Sequence, residues 1–209
     1  MISYVNMDAV FLGDSWLPFV AMIQHCRKYG VWNPWATPLI YRKKYVDRTI
    51  QGSTSADTLR MVRYRLGGIS TSHDTQWFIS TGTHDVGDWN FTYQGEQIAT
   101  HVCNIVRHIV VHHQARKICI AQIRCDTEIV DALGFLYPFT RYSKVNHITG
   151  QLNASLLEKI DALHALYPNV TFHLHSQRVD YIILLRELYI KFLCFLYLWL
   201  MPYFSVILG

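Results

Sequence analysis

The sequence predicts an α/β domain in which a five-stranded parallel sheet is covered by helices on both faces. Two observations support this prediction: short apolar runs alternate with amphipathic segments, and the first apolar run leads directly into a turn of small residues. Such alternation is typical of parallel sheets covered by helices. With 209 residues, of which 51% are hydrophobic and 16% charged, the chain can bury one full core and is not a disordered protein.

The first part of the chain predicts two strands, each followed by a helix. The apolar run 9–12 is the first strand, and residues 17–29 follow it as a helix that ends before Gly30, a plausible C-cap. The second strand covers residues 46–50. Small polar residues after it offer several N-caps for a helix near residues 58–66.

The rest of the chain continues the alternation with three strands and two helices. Residues 77–80 form the third strand, and apolar residues at three- and four-residue steps predict a helix over residues 96–113. Residues 118–123 form the fourth strand. An amphipathic helix over residues 153–166 precedes the fifth strand, residues 170–175, and the stretch 126–149 between them is expected to be a loop.

Polar segments that contain glycine follow the ends of the first three predicted strands. They are Gly13-Asp14-Ser15, Gln51-Gly52-Ser53-Thr54 and Gly82-Thr83-His84-Asp85. The carboxyl ends of parallel strands meet at one edge of the sheet, where ligands bind in open α/β folds, so we expect these segments to lie together. Ser15 stands where the first strand gives way to a helix, a position that suits a nucleophile because the positive end of the helix dipole is near.

This set of three segments resembles the SGNH hydrolases, also called the GDSL esterase/lipase family, over about residues 9–176. The resemblance implies a flavodoxin-like three-layer α/β/α sandwich that hydrolyses a carboxylic or acetyl ester, such as a small ester or an acetylated sugar, without a cofactor or a metal. It makes Ser15 the nucleophile and Gly52 a backbone donor of the oxyanion hole. His84 stands where the family has an asparagine and would donate to the same hole through a ring nitrogen.

The resemblance does not extend to the general base. The family has an Asp-x-x-His motif after its last strand; here Asp180 stands near the expected aspartate, but Ile183 occupies the histidine position and no histidine follows His175. His175 is therefore the candidate base, with a structural strand histidine as the alternative. A chain that keeps the fold without a base would instead be an inactive ligand- or partner-binding protein, and the sequence leaves both functions open.

The composition divides the chain into a hydrolase-like domain, residues 1–181, and a hydrophobic tail, residues 182–209. Residues 192–209 carry no charge and predict a helix at the lower limit of the length that spans a bilayer. The alternatives are an apolar helix packed on the domain and a replaced or truncated end. With no secretory signal before the first strand, we expect a cytosolic domain, which the tail would either anchor to a membrane or leave soluble.

Other classes of function are not favoured. The net charge of +4 is modest and the basic residues are scattered, so no nucleic-acid partner is expected. The five cysteines show no zinc spacing. His101, His108 and His112 share one face of the helix 96–113 and could in principle hold a metal, but a polar face toward solvent is the preferred interpretation. The oligomeric state has no sequence signal.

Overall fold

Five parallel strands form one sheet in the computed structural model of the chain, which describes residues 7–14, 26–30, 32, 33, 35, 44–50, 52–87, 93–124 and 139–178. The strands are β1 (Met7–Gly13), β2 (Tyr45–Thr49), β3 (Thr71–Ser80), β4 (Lys117–Arg124) and β5 (Thr171–Arg178). Their order across the sheet is β2-β1-β3-β4-β5, and every neighbouring pair is parallel. This is the flavodoxin-like order, so the predicted fold class is confirmed.

Helices cover one face of the sheet with a continuous apolar core. They are α1 (Ser55–Arg65), α2 (Thr83–Gly87), α3 (Gly95–His113) and α4 (Phe139–Leu166). The apolar stripe of α3, with Ile98, Ile105 and Ile109 fully buried, packs in one cluster with Trp77 of β3 and Leu163 of α4. A helical stripe of this kind explains why the sequence pattern predicted α3 almost to the residue.

The opposite face of the sheet is covered by aromatic packing around small side chains. Phe11, Phe78, Cys119 and His173 are paired in one row from β1 to β5. The Trp35 ring stacks on His173 with 5.5 Å between ring centroids and meets Phe78 edge-on at 6.4 Å. Cys119 lies between Phe78 and His173 in this row, and its small side chain leaves room for the indole ring. Cys26, from the helical residues 26–29, is buried in the same cluster.

One predicted loop is wrong. The stretch 126–149 was expected to be irregular, but α4 already begins at Phe139, fourteen residues before the predicted start at residue 153. Its buried stripe runs back through Leu152 to Ile148. The sequence pattern is interrupted by Gly150, which is exposed and has open space around it, so the helix continues through it.

The helices α3 and α4 make a close contact at Gly95. A Cβ atom placed there would lie 2.3 Å from the backbone oxygen of Ile148. Gly95 thereby lets α4 cross the N-terminus of α3. Strands β1, β3, β4 and β5 are also longer than predicted. Strand β3 begins at Thr71 rather than residue 77, and β5 continues to Arg178 rather than ending at residue 175.

Candidate active site

The three polar segments meet at the carboxyl edge of the sheet, as predicted. β1 lies between β2 and β3, and Gly13 at its end is paired with Thr49 on one side and with Ser80 on the other. The segments that continue from these three strands therefore begin side by side. Ser15 itself lies outside the described residues, which reach Asp14 on this segment.

At Gly13, the backbones of β1 and β3 lie too close together for a side chain. The φ of Gly13, +127°, is in a region that glycine adopts readily, and a Cβ atom there would lie 1.7 Å from the backbone oxygen of Ser80. The N–H of Asp14 donates to that same oxygen at 2.7 Å, and the N–H of Ile50 donates to the Gly13 oxygen at 2.8 Å. The chain after β1 is thus held against both neighbouring strands.

Asp14 is buried, and its side chain connects the end of β1 to the start of α2 through hydrogen bonds. Its Oδ2 accepts the backbone N–H groups of Thr83 at 3.0 Å and His84 at 3.4 Å. Burial raises the pKa of Asp14 to about 7, although these two hydrogen bonds lower it, and the charge of Asp85 adds to the rise. Its Oδ1 is buried without a hydrogen-bond partner in the described part of the chain. A neutral carboxyl group suits this environment better than a carboxylate.

Gly52 and His84, the two predicted oxyanion-hole residues, are neighbours. Gly52 has a φ of +86°, and a Cβ atom there would lie 3.9 Å from Cε1 of His84. Among the described residues, no hydrogen bond engages either ring nitrogen of His84, whose backbone N–H is the group that Asp14 binds. A ring N–H that no described residue engages therefore lies beside Gly52, where it could donate to a developing oxyanion.

A buried hydrogen-bond network, which the sequence patterns did not predict, lies behind the edge. Asp85 accepts the Ser55 N–H at 2.8 Å and the Ser55 hydroxyl at 3.0 Å, and the Ser55 oxygen lies 2.8 Å from Nδ1 of His101. Because the hydroxyl proton goes to Asp85, the Nδ1–H of His101 is the donor to Ser55. Burial raises the pKa of Asp85 and lowers that of His101.

This network joins α1, α2 and α3 and corrects the interpretation of His101. The ring is half-buried against Tyr93 and bonded to Ser55, so it does not belong to a polar face toward solvent. Ser55 is fully buried, and its hydroxyl oxygen is hydrogen-bonded to both Asp85 and His101. The order Asp–Ser–His also differs from a catalytic triad, in which histidine lies between the other two. We therefore assign the network a structural role.

Removal of the Ser55 hydroxyl should destabilise the protein. In Ser55→Ala, one oxygen of Asp85 and Nδ1 of His101 lose their partner while buried, which costs about 1–3 kcal/mol in the free energy of unfolding. Urea denaturation measures this loss. The matched control is Thr100→Ala, because the Thr100 hydroxyl is exposed and donates to the Glu96 oxygen of its own helix. Equal stability of the two variants would contradict the assigned role.

The strand histidines lie on the face of the sheet that carries Trp35. Register pairs Gly13 with Ser80, Ile79 with Ile120, and Ala121 with His175, so Gly13 and His175 lie at the same height. Three strand spacings separate them, or about 14 Å. A base function for His175 thus requires the chain after β1 to approach β5. Asp180, the candidate that would orient this base, lies outside the described residues.

The three histidines considered for a metal have different surroundings in the described ranges. The rings of His108 and His112 lie 4.3 Å apart between centroids, whereas His101 is bonded to Ser55. Among the described residues, no group of three or more histidine, cysteine, aspartate or glutamate side chains is arranged to hold a metal ion.

The tail prediction concerns residues that the structure does not describe. Within the described ranges, no helix has both the length and the apolar character needed to cross a membrane. The predicted helix 192–209 lies beyond them. Membrane anchoring and a cytosolic location therefore stay predictions of the sequence.

Comparison of the sequence with known families finds no match, whereas comparison of the structure finds several similar solved structures. No protein-family model and no curated protein matches the chain. A GDSL-like lipase from Bacteroides thetaiotaomicron is 17% identical, with 79% of this chain and 67% of that chain covered and a TM-score of 0.47. A member of the lipolytic G-D-S-L family from Veillonella parvula is 13% identical, with 80% and 76% covered and a TM-score of 0.45.

A third similar structure is AlinE4, an SGNH-hydrolase family esterase. It is 11% identical, with 79% of this chain and 94% of that chain covered and a TM-score of 0.40. The fold assignment itself rests on the strand order and register of this chain.

Proposed function

We propose that this chain is an SGNH-type serine hydrolase that cleaves carboxylic or acetyl esters of small molecules, with Ser15 as nucleophile. The observation that supports the proposal best is the placement of Gly52 beside His84, at the sheet edge where β1 ends two residues before Ser15. An ester hydrolase needs hydrogen-bond donors and a nucleophile around one point, and this edge brings the candidate donors together.

The proposed reaction has two steps that share one oxyanion hole. The Ser15 oxygen forms a bond to the ester carbonyl carbon while its proton passes to a base, and the carbonyl π electrons move onto oxygen. The backbone N–H of Gly52 and a ring N–H of His84 stabilise that oxyanion. Collapse expels the alcohol, which takes up the proton, and water then cleaves the acyl-serine by the same route.

Asp14 and Gly13 act as positioning residues in this proposal. Asp14 holds the backbone of Thr83 and His84 against the end of β1. Gly13 permits the positive φ at the end of β1, two residues before Ser15. The distance between His84 and the nucleophile therefore depends on the buried Asp14 carboxyl group.

The base remains the unassigned part of the proposal. His175 is the candidate base that the sequence offers, with Asp180 as the residue that would orient it, and β5, which carries His175, is separated from β1 by β3 and β4. Without a base, the same edge would serve the alternative function, an inactive protein that binds a ligand or partner. The alternative is favoured by one observation, the absence of any histidine after His175 in the sequence.

Hydrolysis of p-nitrophenyl acetate by the full-length protein in detergent tests the proposal. We expect Ser15→Ala to reduce the rate to background, and His84→Ala to lower kcat by about 10²–10³ as the loss of one oxyanion donor does. His84→Asn should retain most of the activity because an amide N–H replaces the ring N–H. His147→Ala, an exposed histidine on α4, is the matched control.

The outcomes separate the two functions. A rate that falls with Ser15→Ala shows that a base is recruited, and His175→Ala then tests its identity. Equal background rates for wild type and Ser15→Ala would contradict the hydrolase proposal and favour the inactive binding protein.

A further inference from the structure

An open groove lies directly beside Gly52, between the end of β2 and α1. A pocket of about 490 Å³ has Gly52 in its wall, together with the apolar side chains of Ile50 and Met61. A second pocket of about 410 Å³ shares Ile50, Met61 and Arg65 with the first and continues along β2 past Arg48. We call these two connected pockets the β2–α1 groove. Because Gly52 lines it, the groove offers space for one arm of a substrate held at Gly52.

Arginine dominates the charge of the β2–α1 groove. Arg48, Arg60 and Arg65 line it. Of these, Arg60 is 3.7 Å from Asp57, with 73% of its side chain exposed. Neither Arg48 nor Arg65 forms an ion pair within the described part of the chain. Within the described residues, two guanidinium groups of the groove thus have no carboxylate paired with them.

The two carboxylates that line the groove accept hydrogen bonds from nearby threonines. Asp57 accepts the backbone N–H and the hydroxyl of Thr54 at the start of α1, and these bonds lower the pKa of Asp57. Asp47 accepts the N–H and hydroxyl of Thr49. Both carboxylates keep their negative charge, and the three arginines against these two aspartates give the lining of the groove a net positive formal charge.

We propose that the β2–α1 groove binds an anionic group of the substrate, so that the preferred esters carry a carboxylate, sulfate or phosphate on one arm. The inference rests on the proposed function, because it takes Gly52 as the point where the ester carbonyl is held. Guanidinium groups bind such anions through paired N–H donors. Met61 and the largely exposed Tyr64 provide apolar surface for the part of the substrate between carbonyl and anion.

Paired anionic and neutral esters test the inference on the full-length protein. For an anionic alcohol arm the pair is 4-acetoxybenzoate and its methyl ester; for an anionic acyl arm it is monomethyl adipate and methyl hexanoate. We expect the ratio of kcat/KM, anionic over neutral, to fall about three- to tenfold in Arg65→Gln for at least one pair. Arg63→Gln, the same charge change on α1 outside the groove, should alter the ratio by less than about twofold.

A binding measurement separates this inference from the proposed function. The product anions 4-hydroxybenzoate and adipate are titrated into wild type and Arg65→Gln and followed by NMR, which needs no turnover. If an anion binds wild type more tightly than Arg65→Gln but no ester is hydrolysed, the hydrolase proposal is refuted and anion binding by the groove is supported. Hydrolysis with unchanged ratios would overturn the inference, and so would an absence of hydrolysis with neither anion bound more tightly by wild type.

Discussion

Gly13→Ala should prevent the protein from reaching its native fold, or destabilise it by more than about 4 kcal/mol. The added methyl carbon would lie 1.7 Å from the Ser80 oxygen, which is backbone in the central strand β3 and cannot rotate away. Relief would require β1 and β3 to separate, and the hydrogen bond from the Asp14 N–H to the same oxygen would be lost. Soluble yield and urea denaturation measure the effect.

Gly68→Ala is the matched control for this prediction. Gly68 has a φ of +88°, and a Cβ atom there would meet nothing within 4 Å. That substitution therefore includes the cost of a left-handed backbone, about 1–2 kcal/mol, without the steric clash. Similar losses in the two variants would show that Gly13 does not approach β3 as closely as described.

The second large effect concerns Asp14 and pH. Its pKa is about 7 in the folded protein against 3.8 in the unfolded chain, so the folded state binds the proton more tightly. The stability from Asp14 is then fully present below pH 3.8 and is lost as the pH rises to about 7. The loss amounts to about 4 kcal/mol, from 1.36 kcal/mol for each pKa unit.

Asp14→Asn should abolish this dependence, because an amide accepts the same backbone N–H groups and does not titrate in this range. The variant should gain stability relative to wild type as the pH rises from 4 toward 7, measured by urea denaturation across that range. Asp57→Asn is the control of opposite sign: the pKa of Asp57 is lowered, so its contribution is lost as the pH falls. Parallel curves for wild type and Asp14→Asn would contradict a buried, proton-binding carboxyl group.

Much of the fold follows from patterns that are local in the sequence. The stripe of α3 and the apolar run of β1 are each buried as a unit, so periodicity alone identifies them. The convergence of Gly13, Gly52 and His84 also follows, because parallel strands bring their carboxyl ends to one edge. Helix α4 was half missed, since an exposed Gly150 interrupts its pattern without interrupting the helix.

The parts of the site that escaped prediction depend on contacts between distant residues. Ser55 and His101 are 46 positions apart, and no spacing rule connects a serine that begins one helix with a histidine inside another. Asp14 was visible as part of Gly-Asp-Ser, but its role depends on the N-terminus of α2, 69 residues further along the chain. Only the folded sheet edge brings these groups together.

The central claim is that this edge activates Ser15, and labelling with a fluorophosphonate probe tests it most directly. The probe reacts with serine only where something activates the hydroxyl, and it needs no knowledge of the natural ester. The account predicts covalent labelling of the full-length protein, located at Ser15 by peptide mass spectrometry and absent from Ser15→Ala. An unlabelled wild-type protein, or equal labelling of Ser15→Ala, would contradict it and leave a hydrolase-like fold without hydrolase chemistry.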